Sequence, residues 1–399
     1  MLLRVISRDR PFLDTPIGTP GEGRRRLLQC VAALPTLWLA PTATALNGPP
    51  PSGVRPRPLV FPADHGAHPD TRVEWWYVTG SVQPDTDAPP PSGRAGIDDT
   101  CGFQVTFFRS RTDVDGDHPS RFAARQLVFA HAALTDLKQG RLLHDQRIAR
   151  TGFGIAEAAA GDTSVSLRDW RFTRIEHGSG SRYRARVSSD PARFGFEFQF
   201  DTTQPLLLQG DAGFSRKGPR PGQASHYYSQ PQLAVHGTLT REGRTLPVRG
   251  RAWLDHEWSD SLLDPAAVGW DWIGMNLDNG GALTAFRLRS AEGRPVYAGG
   301  SFRAVGGAVR NFAANEVLLT PGRLWTSPDS QARYPVEWSL DCPAGRFRVR
   351  SLLEAQELDS RASTGSIYWE GLSELLDEAG RRIGLGYLEM TGYAGKLSL

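Results

Sequence analysis

The chain has 399 residues, a formal net charge of +3, 43 glycines and 29 prolines. Residues 1–45 contain six arginines and three acidic residues, so the rest of the chain carries forty charges of each sign. A neutral chain of this kind argues against nucleic acid as a partner, and its length favours two domains. Frequent turn residues and few long helical stretches predict a mainly β protein.

The amino terminus resembles an export signal. Arg24-Arg25-Arg26 precedes a short apolar run, as in twin-arginine signals, and Ala43-Thr44-Ala45 offers small residues to a signal peptidase. The run is shorter than the roughly 20 residues that span a bilayer. We therefore expect cleavage near Ala45 and a periplasmic or secreted protein with at most peripheral membrane contact, an uncleaved anchor being the alternative. Cys101 and Cys342 are expected to be free and buried, although an oxidising compartment would permit a bridge.

The fold proper is expected to begin near Leu59, after a Pro-rich linker at residues 46–58. Beyond the linker, apolar and polar residues alternate over short stretches, as in strands with one buried face. The predicted strands cover residues 73–80, 102–108, 125–134, 194–200, 233–240, 246–254, 272–277, 282–289, 297–305, 336–340, 346–352 and 384–390. Because strands do not alternate with helices, we predict antiparallel barrels or sandwiches, with domains at 59–214 and 215–399.

One short part of the chain combines acids, a histidine and four tryptophans: residues 253–260, Trp-Leu-Asp-His-Glu-Trp-Ser-Asp, and residues 270–272, Trp-Asp-Trp. Imidazole and carboxylate groups move protons near neutral pH. Along a strand, Asp255 and Glu257 point to one side, and His256 and Trp258 point to the other. We predict a functional pocket around His256 and Trp258. The alternative is a histidine that only packs in an aromatic core.

Glu74 stands next to Trp75 and Trp76. Desolvation among indoles disfavours a carboxylate, which would raise the pKa of Glu74 and make it a proton donor. The alternative is a buried Glu74 paired with an arginine. Nearby, residues 64–68 (Asp-His-Gly-Ala-His) offer two histidines to a metal, but no third ligand follows at a convincing spacing. We therefore predict no metal site.

The motifs of several enzyme classes are missing. The sequence contains no Gly-x-Ser-x-Gly elbow, no His-Glu-x-x-His helix, no phosphate-binding loop and no dinucleotide fingerprint. Standard serine hydrolases, zinc proteases, kinases and dehydrogenases are therefore disfavoured.

Seven short motifs, taken in order, resemble a known family. They are Asp64-His65-Gly66-Ala67-His68-Pro69, Glu74-Trp75-Trp76-Tyr77-Val78-Thr79-Gly80, His131-Ala132-Ala133-Leu134-Thr135-Asp136, Tyr227-Tyr228-Ser229, Asp255-His256-Glu257-Trp258-Ser259, Gly269-Trp270-Asp271-Trp272 and Gly386-Tyr387-Leu388-Glu389. The chain is similar to the lipocalin-like hydratase family, which includes carotenoid 1,2-hydratase, fungal kievitone hydratase and a branch of exported proteins with an AttH-like domain. The resemblance spans about residues 59–399 and implies an all-β fold of two consecutive lipocalin-like antiparallel β-barrels.

The resemblance also implies a site. It carries over His256 and Trp258 as a His-x-Trp element and Asp271 as an acid beside an aromatic residue. Hydration of an unactivated C=C bond needs an acid that protonates carbon, a surface that tolerates the cation and a base that deprotonates water. We expect Asp271 to be the acid, Trp258 and Trp270 to stabilise the cation, and His256 to activate water, with Glu74 as a further catalytic candidate.

The remaining site residues are expected to contact the substrate: Trp75, Trp76, Tyr77, Tyr228, Asp255, Glu257, Trp270 and Trp272. Together these features predict an exported protein that binds an apolar isoprenoid or lipid-like molecule and adds water to it without a cofactor. The alternative is a non-catalytic lipid carrier or accessory protein of an envelope transport system.

Overall fold

The computed structural model describes residues 54–86, 99–115, 117–261 and 263–397. The predicted export signal at 1–45 and residues 46–53 of the predicted linker lie outside the described residues. All described residues belong to one compact unit. Within these ranges, no helix combines the length and the apolar character needed to cross a membrane.

Antiparallel strands make up most of the described chain. The first thirteen are β1 (Val73–Pro84), β2 (Cys101–Arg111), β3 (Gln126–Asp136), β4 (Arg141–Arg150), β5 (Ala156–Ala158), β6 (Ser164–Leu167), β7 (Trp170–His177), β8 (Gly180–Ser189), β9 (Phe194–Asp201), β10 (Leu207–Leu208), β11 (Phe214–Arg216), β12 (Ala224–Arg241) and β13 (Arg244–Ser259). The others are β14 (Gly269–Leu277), β15 (Ala282–Arg289), β16 (Pro295–Arg303), β17 (Val309–Phe312), β18 (Leu318–Pro321), β19 (Leu324–Thr326), β20 (Arg333–Pro335), β21 (Glu337–Cys342), β22 (Gly345–Ser351), β23 (Glu357–Ser360), β24 (Ser366–Leu376) and β25 (Arg382–Met390). The helical elements of the described residues are short: 3-10 turns at Ala63–His65 and Ala314–Glu316, and α1 (Arg361–Thr364).

Strands β1–β13 form sheet A, which curls into a nearly closed antiparallel barrel. Its main path is β4-β3-β2-β1-β13-β12-β9-β8-β7-β6-β5, and β10 and β11 pair with β12. Strands β12 and β13 follow residue 215, where the sequence suggested a domain division. They nevertheless belong to sheet A, because β12 pairs with β9 and β13 pairs with β1. The change to the next sheet falls between Ser259 and Gly269.

Sheet B is the second large antiparallel sheet. Its order is β17-β16-β15-β14-β25-β24-β22-β21-β18, with β23 beside β24, while β19 and β20 pair separately. The predicted all-β fold class, with consecutive lipocalin-like units, is confirmed.

Successive side chains of a strand point to opposite faces of its sheet, so the apolar residues form separate cores on the different faces of sheets A and B. Phe194, Phe196, Phe198 and Phe200 of β9 are at most 3% exposed and lie in the core of the sheet A barrel, as the sequence predicts for four phenylalanines on one face. A separate core lies against sheet B. A third apolar cluster joins outward-facing side chains of the two sheets: Tyr77, Trp253, Trp272, Phe286, Leu288, Leu372 and Tyr387.

An irregularity in β12 fixes the two sheets to each other. The register shifts between Gln230 and Leu233, and Gln232 adopts a positive φ of 57°. Its backbone N–H donates to Oδ1 of Asn276 at 2.8 Å, and its Nε2 donates to the carbonyls of Leu277 and Gly281 at 2.9 and 2.7 Å. Because Asn276 and Leu277 lie on β14, these bonds hold the outer face of sheet A against sheet B.

The cysteines do not form a bridge. Cys101 is buried and Cys342 is half-buried, and both are free thiols. The prediction of free cysteines is confirmed, whereas the expected burial of Cys342 is wrong, because this residue ends β21 at the turn to β22.

Candidate functional site

A cavity lies where the outer face of sheet A meets sheet B; we call it the interface cavity. Its volume is about 120 Å³, which is room for about four water molecules at roughly 30 Å³ each. Aromatic and acidic side chains make up about half of its lining, among them Trp75, Tyr77, Phe108, Phe129, His131, Tyr227, Asp255, Glu257, Trp270, Trp272, Phe286, Tyr368, Glu370 and Glu389. Buried acids in a largely aromatic cavity provide proton donors and acceptors in a poorly solvated space.

Asp255 of β13 is the best-bonded acid of the interface cavity. Its Oδ1 accepts hydrogen bonds from Ser229 Oγ at 2.5 Å and Trp253 Nε1 at 2.6 Å, and its Oδ2 accepts one from the Tyr227 hydroxyl at 2.7 Å. Burial raises the pKa of Asp255 to about 7, although these three donors oppose the rise. Asp255 can therefore exchange a proton near neutral pH.

Glu370 of β24 and Glu389 of β25 lie opposite each other in the pairing of these strands. Both line sheet B's side of the cavity, where Glu370 is buried and Glu389 is half-buried. Burial and the neighbouring charge of Glu389 raise the pKa of Glu370 well above its ordinary value. Burial likewise raises the pKa of Glu389 to about 7, with contributions from Asp255 and Glu257. At neutral pH we expect this pair to hold at least one proton, on Glu370.

Three polar atoms in the lining lack a hydrogen-bond partner among the described residues: Oε1 of Glu370, the hydroxyl of Tyr77 and Oγ of Ser225. The Tyr77 hydroxyl lies next to Glu370 but outside hydrogen-bonding geometry. Buried polar atoms without partners are costly, and their presence around one cavity points to a ligand that satisfies them.

Two further pairs of polar side chains lie in the cavity lining. Lys217 Nζ lies 3.0 Å from Oε1 of Glu257 and over the rings of Tyr227 and Phe286. His131 Nδ1 lies 2.8 Å from the Tyr368 hydroxyl. Burial lowers the pKa of His131 to about 3, so its imidazole is neutral and fixes the position of the tyrosine.

Inside the barrel lies a second polar group, which we call the barrel cluster. Glu74, Tyr228 and His256 come from β1, β12 and β13, and His65 and His68 come from the segment before β1. Oε1 of Glu74 lies 2.7 Å from Nδ1 of His68 and 3.0 Å from Nε2 of His256. The Tyr228 hydroxyl lies 3.1 Å from Nδ1 of His256 and 2.8 Å from Nδ1 of His65. These contacts form a continuous chain from Glu74 to His65.

Aromatic rings enclose the barrel cluster. Trp76 stacks on His256 at 4.6 Å between ring centroids, and Trp258 stacks on His68 at 3.7 Å. The predicted alternation is confirmed: His256 and Trp258 point into the barrel of sheet A, whereas Asp255 and Glu257 line the interface cavity.

The predicted rise in the pKa of Glu74 is wrong. Burial alone would raise it, but hydrogen bonds from His256 and His68 lower the pKa of Glu74 to about 2. Oε2 also accepts a hydrogen bond from Arg109 Nε at 2.8 Å. The alternative reading, a buried Glu74 paired with an arginine, is correct, and Glu74 is an ionised carboxylate at neutral pH.

Asp271 lies apart from both groups. On β14 its side chain points away from the interface cavity, where Oδ2 accepts a hydrogen bond from Arg287 Nε at 2.7 Å and Oδ1 accepts one from the Tyr393 hydroxyl at 2.9 Å. The structure therefore does not bring Asp271 to His256 and Trp258. Side chains alternate along β14, and Trp270 and Trp272 take the positions that face the cavity. Asp271, which lies between them, therefore points to the other side of the sheet.

The predicted residues thus divide between two places. Trp76, Tyr228, His256 and Trp258 surround Glu74 in the barrel, and Trp75, Tyr77, Asp255, Glu257, Trp270 and Trp272 line the interface cavity. Sequence reasoning missed Glu370 and Glu389 as site residues. A signal existed, because Tyr368-Trp369-Glu370 and Tyr387-Leu388-Glu389 both place a tyrosine and a glutamate on one strand face.

An antiparallel barrel joined to a second large sheet, with a cavity where the two meet, is the architecture of a lipocalin-like protein. The chain belongs to the AttH-like family, whose family model matches residues 52–393. An AttH protein from Nitrosomonas europaea is similar in sequence and structure, with 44% identity and a TM-score of 0.76 over 86% of this chain and 99% of that one.

A more distant structure has the same fold. Kievitone hydratase from Nectria haematococca covers 86% of this chain and 96% of its own with a TM-score of 0.62 and 16% identity. The family model thus confirms the AttH-like branch of the expected family, and the fungal structure confirms the expected fold. A comparison with curated proteins gives no match.

Proposed function

We propose that the protein is a hydratase that adds water to a C=C bond of an apolar, isoprenoid-like molecule in the interface cavity. The observation that carries this proposal is Glu370: it is a buried carboxylic acid beside a second acid, and its Oε1 has no partner among the described residues. Such an acid stays protonated at neutral pH and is available to a ligand.

The proton donor in this proposal is Glu370 rather than Asp271. Its O–H protonates one alkene carbon, which leaves a carbocation on the neighbouring carbon and a carboxylate on Glu370. Trp270, Trp272 and Tyr77 line the same cavity, and we propose that their rings face that cation. Aromatic faces stabilise cations, so this aromatic part of the lining suits a carbocation intermediate.

Asp255 is the base in this proposal. Its three hydrogen-bond donors hold the carboxylate in one orientation, and its pKa of about 7 suits removal of a proton from water at neutral pH. The hydroxyl oxygen bonds to the cationic carbon as Asp255 takes the proton. Transfer of this proton back to Glu370 restores both groups, and the net change is addition of one water molecule.

The cavity size limits the substrate. A volume of about 120 Å³ accommodates a short branched segment rather than a whole polyene. We therefore propose that a terminal isoprenoid unit enters the cavity and that the remaining chain extends outside it. The relative from Nectria haematococca is by name a hydratase, which agrees with this reaction class.

Incubation with an isoprenoid and lipid extract in heavy-oxygen water tests the proposal. Mass spectrometry should detect a product that carries one labelled water, and the Glu370→Gln protein should not form it. Recovery of a bound but unmodified ligand from both proteins would contradict hydration and favour a lipid carrier.

We further propose that the chain is exported and processed after Ala45, because residues 1–45 have the pattern of a twin-arginine signal. An apolar ligand is its expected partner, and an envelope transporter is a candidate source of that ligand. The intact mass of protein purified from the periplasm should correspond to a chain that begins at Leu46; a mass that includes the first 45 residues would contradict processing.

A further inference from the structure

The geometry points to a divalent transition-metal site, best suited to zinc, in the barrel cluster. The ligands would be Nδ1 of His68, a carboxylate oxygen of Glu74 and Nε2 of His256. One ligand atom from each residue lies within 4.8 Å of the other two. Oε1 of Glu74 stands between the imidazoles, at 2.7 Å from His68 Nδ1 and 3.0 Å from His256 Nε2.

These separations fit a metal after small side-chain movements. Zinc binds imidazole nitrogen and carboxylate oxygen at about 2.0–2.2 Å, so its ligand atoms lie about 3.3 Å apart in a tetrahedral site. Two imidazoles and one carboxylate are the donor set of open zinc sites, and borderline metals prefer them to the all-oxygen sets of calcium and magnesium. A fourth position remains for a small molecule.

Each ligand already has an outer hydrogen-bond partner that fixes its orientation. Asp64 Oδ1 lies 2.9 Å from Nε2 of His68, and the Tyr228 hydroxyl lies 3.1 Å from Nδ1 of His256. Arg109 Nε donates to the other oxygen of Glu74 at 2.8 Å. Metal-binding histidines characteristically bond a carboxylate or another polar group through the second ring nitrogen, and the barrel cluster has this arrangement on both histidines.

Charge and access are compatible with one ion. Arg57 makes two hydrogen bonds of 2.7 Å to Asp64, and Arg109 pairs with Glu74, so the two arginines neutralise the charges of the two acids. The affinity of the site for a metal ion therefore depends mainly on the two imidazoles. His68 is the accessible ligand, since its side chain is 15% exposed whereas those of Glu74 and His256 are fully buried. An ion would therefore enter on the side of His68.

Zinc titration of the chelator-treated full-length protein tests this site by calorimetry. We expect one zinc ion per chain and at least a tenfold loss of affinity, of the order seen when metal-site residues are removed, in His68→Ala. His236→Ala removes an exposed histidine and should bind zinc as the wild type does. No saturable binding, or equal affinity in His68→Ala and the wild type, would overturn the site.

X-ray absorption at the zinc edge of the loaded wild-type protein provides a measurement that needs no variant. Two imidazole nitrogens and a carboxylate oxygen in the first shell would support the site even if His68→Ala failed to fold. A shell with fewer than two imidazoles would contradict it. Both readouts are independent of the proposed hydration, so either idea can fail without the other.

Discussion

Replacement of Asp255 by Asn should change how stability depends on pH. Burial raises the pKa of Asp255 from its ordinary value of 3.8 to about 7 in the folded protein. Between these values the folded chain retains a proton that the unfolded chain has lost, so this group makes the free energy of unfolding fall as pH rises. A shift of about three units corresponds to about 4 kcal/mol, at 1.36 kcal/mol for each unit.

The measurement is urea unfolding of the wild type and Asp255→Asn at several pH values from 4 to 8. The stability difference, variant minus wild type, should rise by up to about 1.4 kcal/mol per pH unit and level off above pH 7. Comparison of the two proteins at each pH cancels the contributions of other groups.

Asp201→Asn is a control of opposite sign. Although burial of Asp201 acts in the other direction, its hydrogen bonds from Arg182 and Gln199 lower its pKa, so the Asn variant should lose stability relative to the wild type as pH rises through the acid range. A difference between Asp255→Asn and the wild type that stays flat with pH would refute the reasoning. It would mean that the three donors outweigh burial and keep Asp255 ionised.

Three other substitutions test the site and its supports. Glu370→Gln should lower hydration by about 10²–10⁴-fold because an amide cannot donate the proton, as measured by labelled product, while Glu374→Gln on the same strand, whose glutamate pairs with an arginine outside the cavity, should retain activity. Arg109→Met should lower the free energy of unfolding by about 3 kcal/mol, because it removes the arginine that pairs with the buried Glu74; an unchanged urea midpoint would contradict this pairing. Gly274→Ala places a methyl group against the ring of Trp272 and should cost about 1–3 kcal/mol with a change in tryptophan fluorescence. No loss relative to Gly395→Ala, where the added methyl meets no atom, would contradict that contact.

The sequence predicts the two faces of β13 correctly because a strand has a strict period of two. Asp255 and His256 must point to opposite sides, and the structure places them in the interface cavity and the barrel cluster. What alternation does not reveal is which sheet each strand joins. His256 was expected near Asp271, but β13 closes the barrel of sheet A and β14 begins sheet B.

Glu370 escaped prediction for a different physical reason. Its strand, β24, is buried on both faces from Tyr368 to Leu376, because one side packs on the core of sheet B and the other meets sheet A. Such a strand shows no alternation of polar and apolar residues. In the sequence alone, an acid such as Glu370 in this strand cannot be distinguished from a polar residue of a loop.

The ligands of the proposed metal site could not be found by spacing either. His68 and His256 are far apart in the chain, and only the pairing of β1 with β13 brings His256 to Glu74. A search for metal motifs relies on neighbours in sequence, whereas this cluster is assembled by the closure of a barrel.

Protonation of Glu370 at neutral pH is the property on which the proposed hydration depends most. Infrared difference spectroscopy between the wild type and Glu370→Gln measures it directly, through the carbonyl stretch of a protonated carboxylic acid. We predict that this band is present in the wild type at pH 7 and is missing from the variant. A carboxylate signal in place of the acid band would show that Glu370 is ionised and would contradict its role as the proton donor.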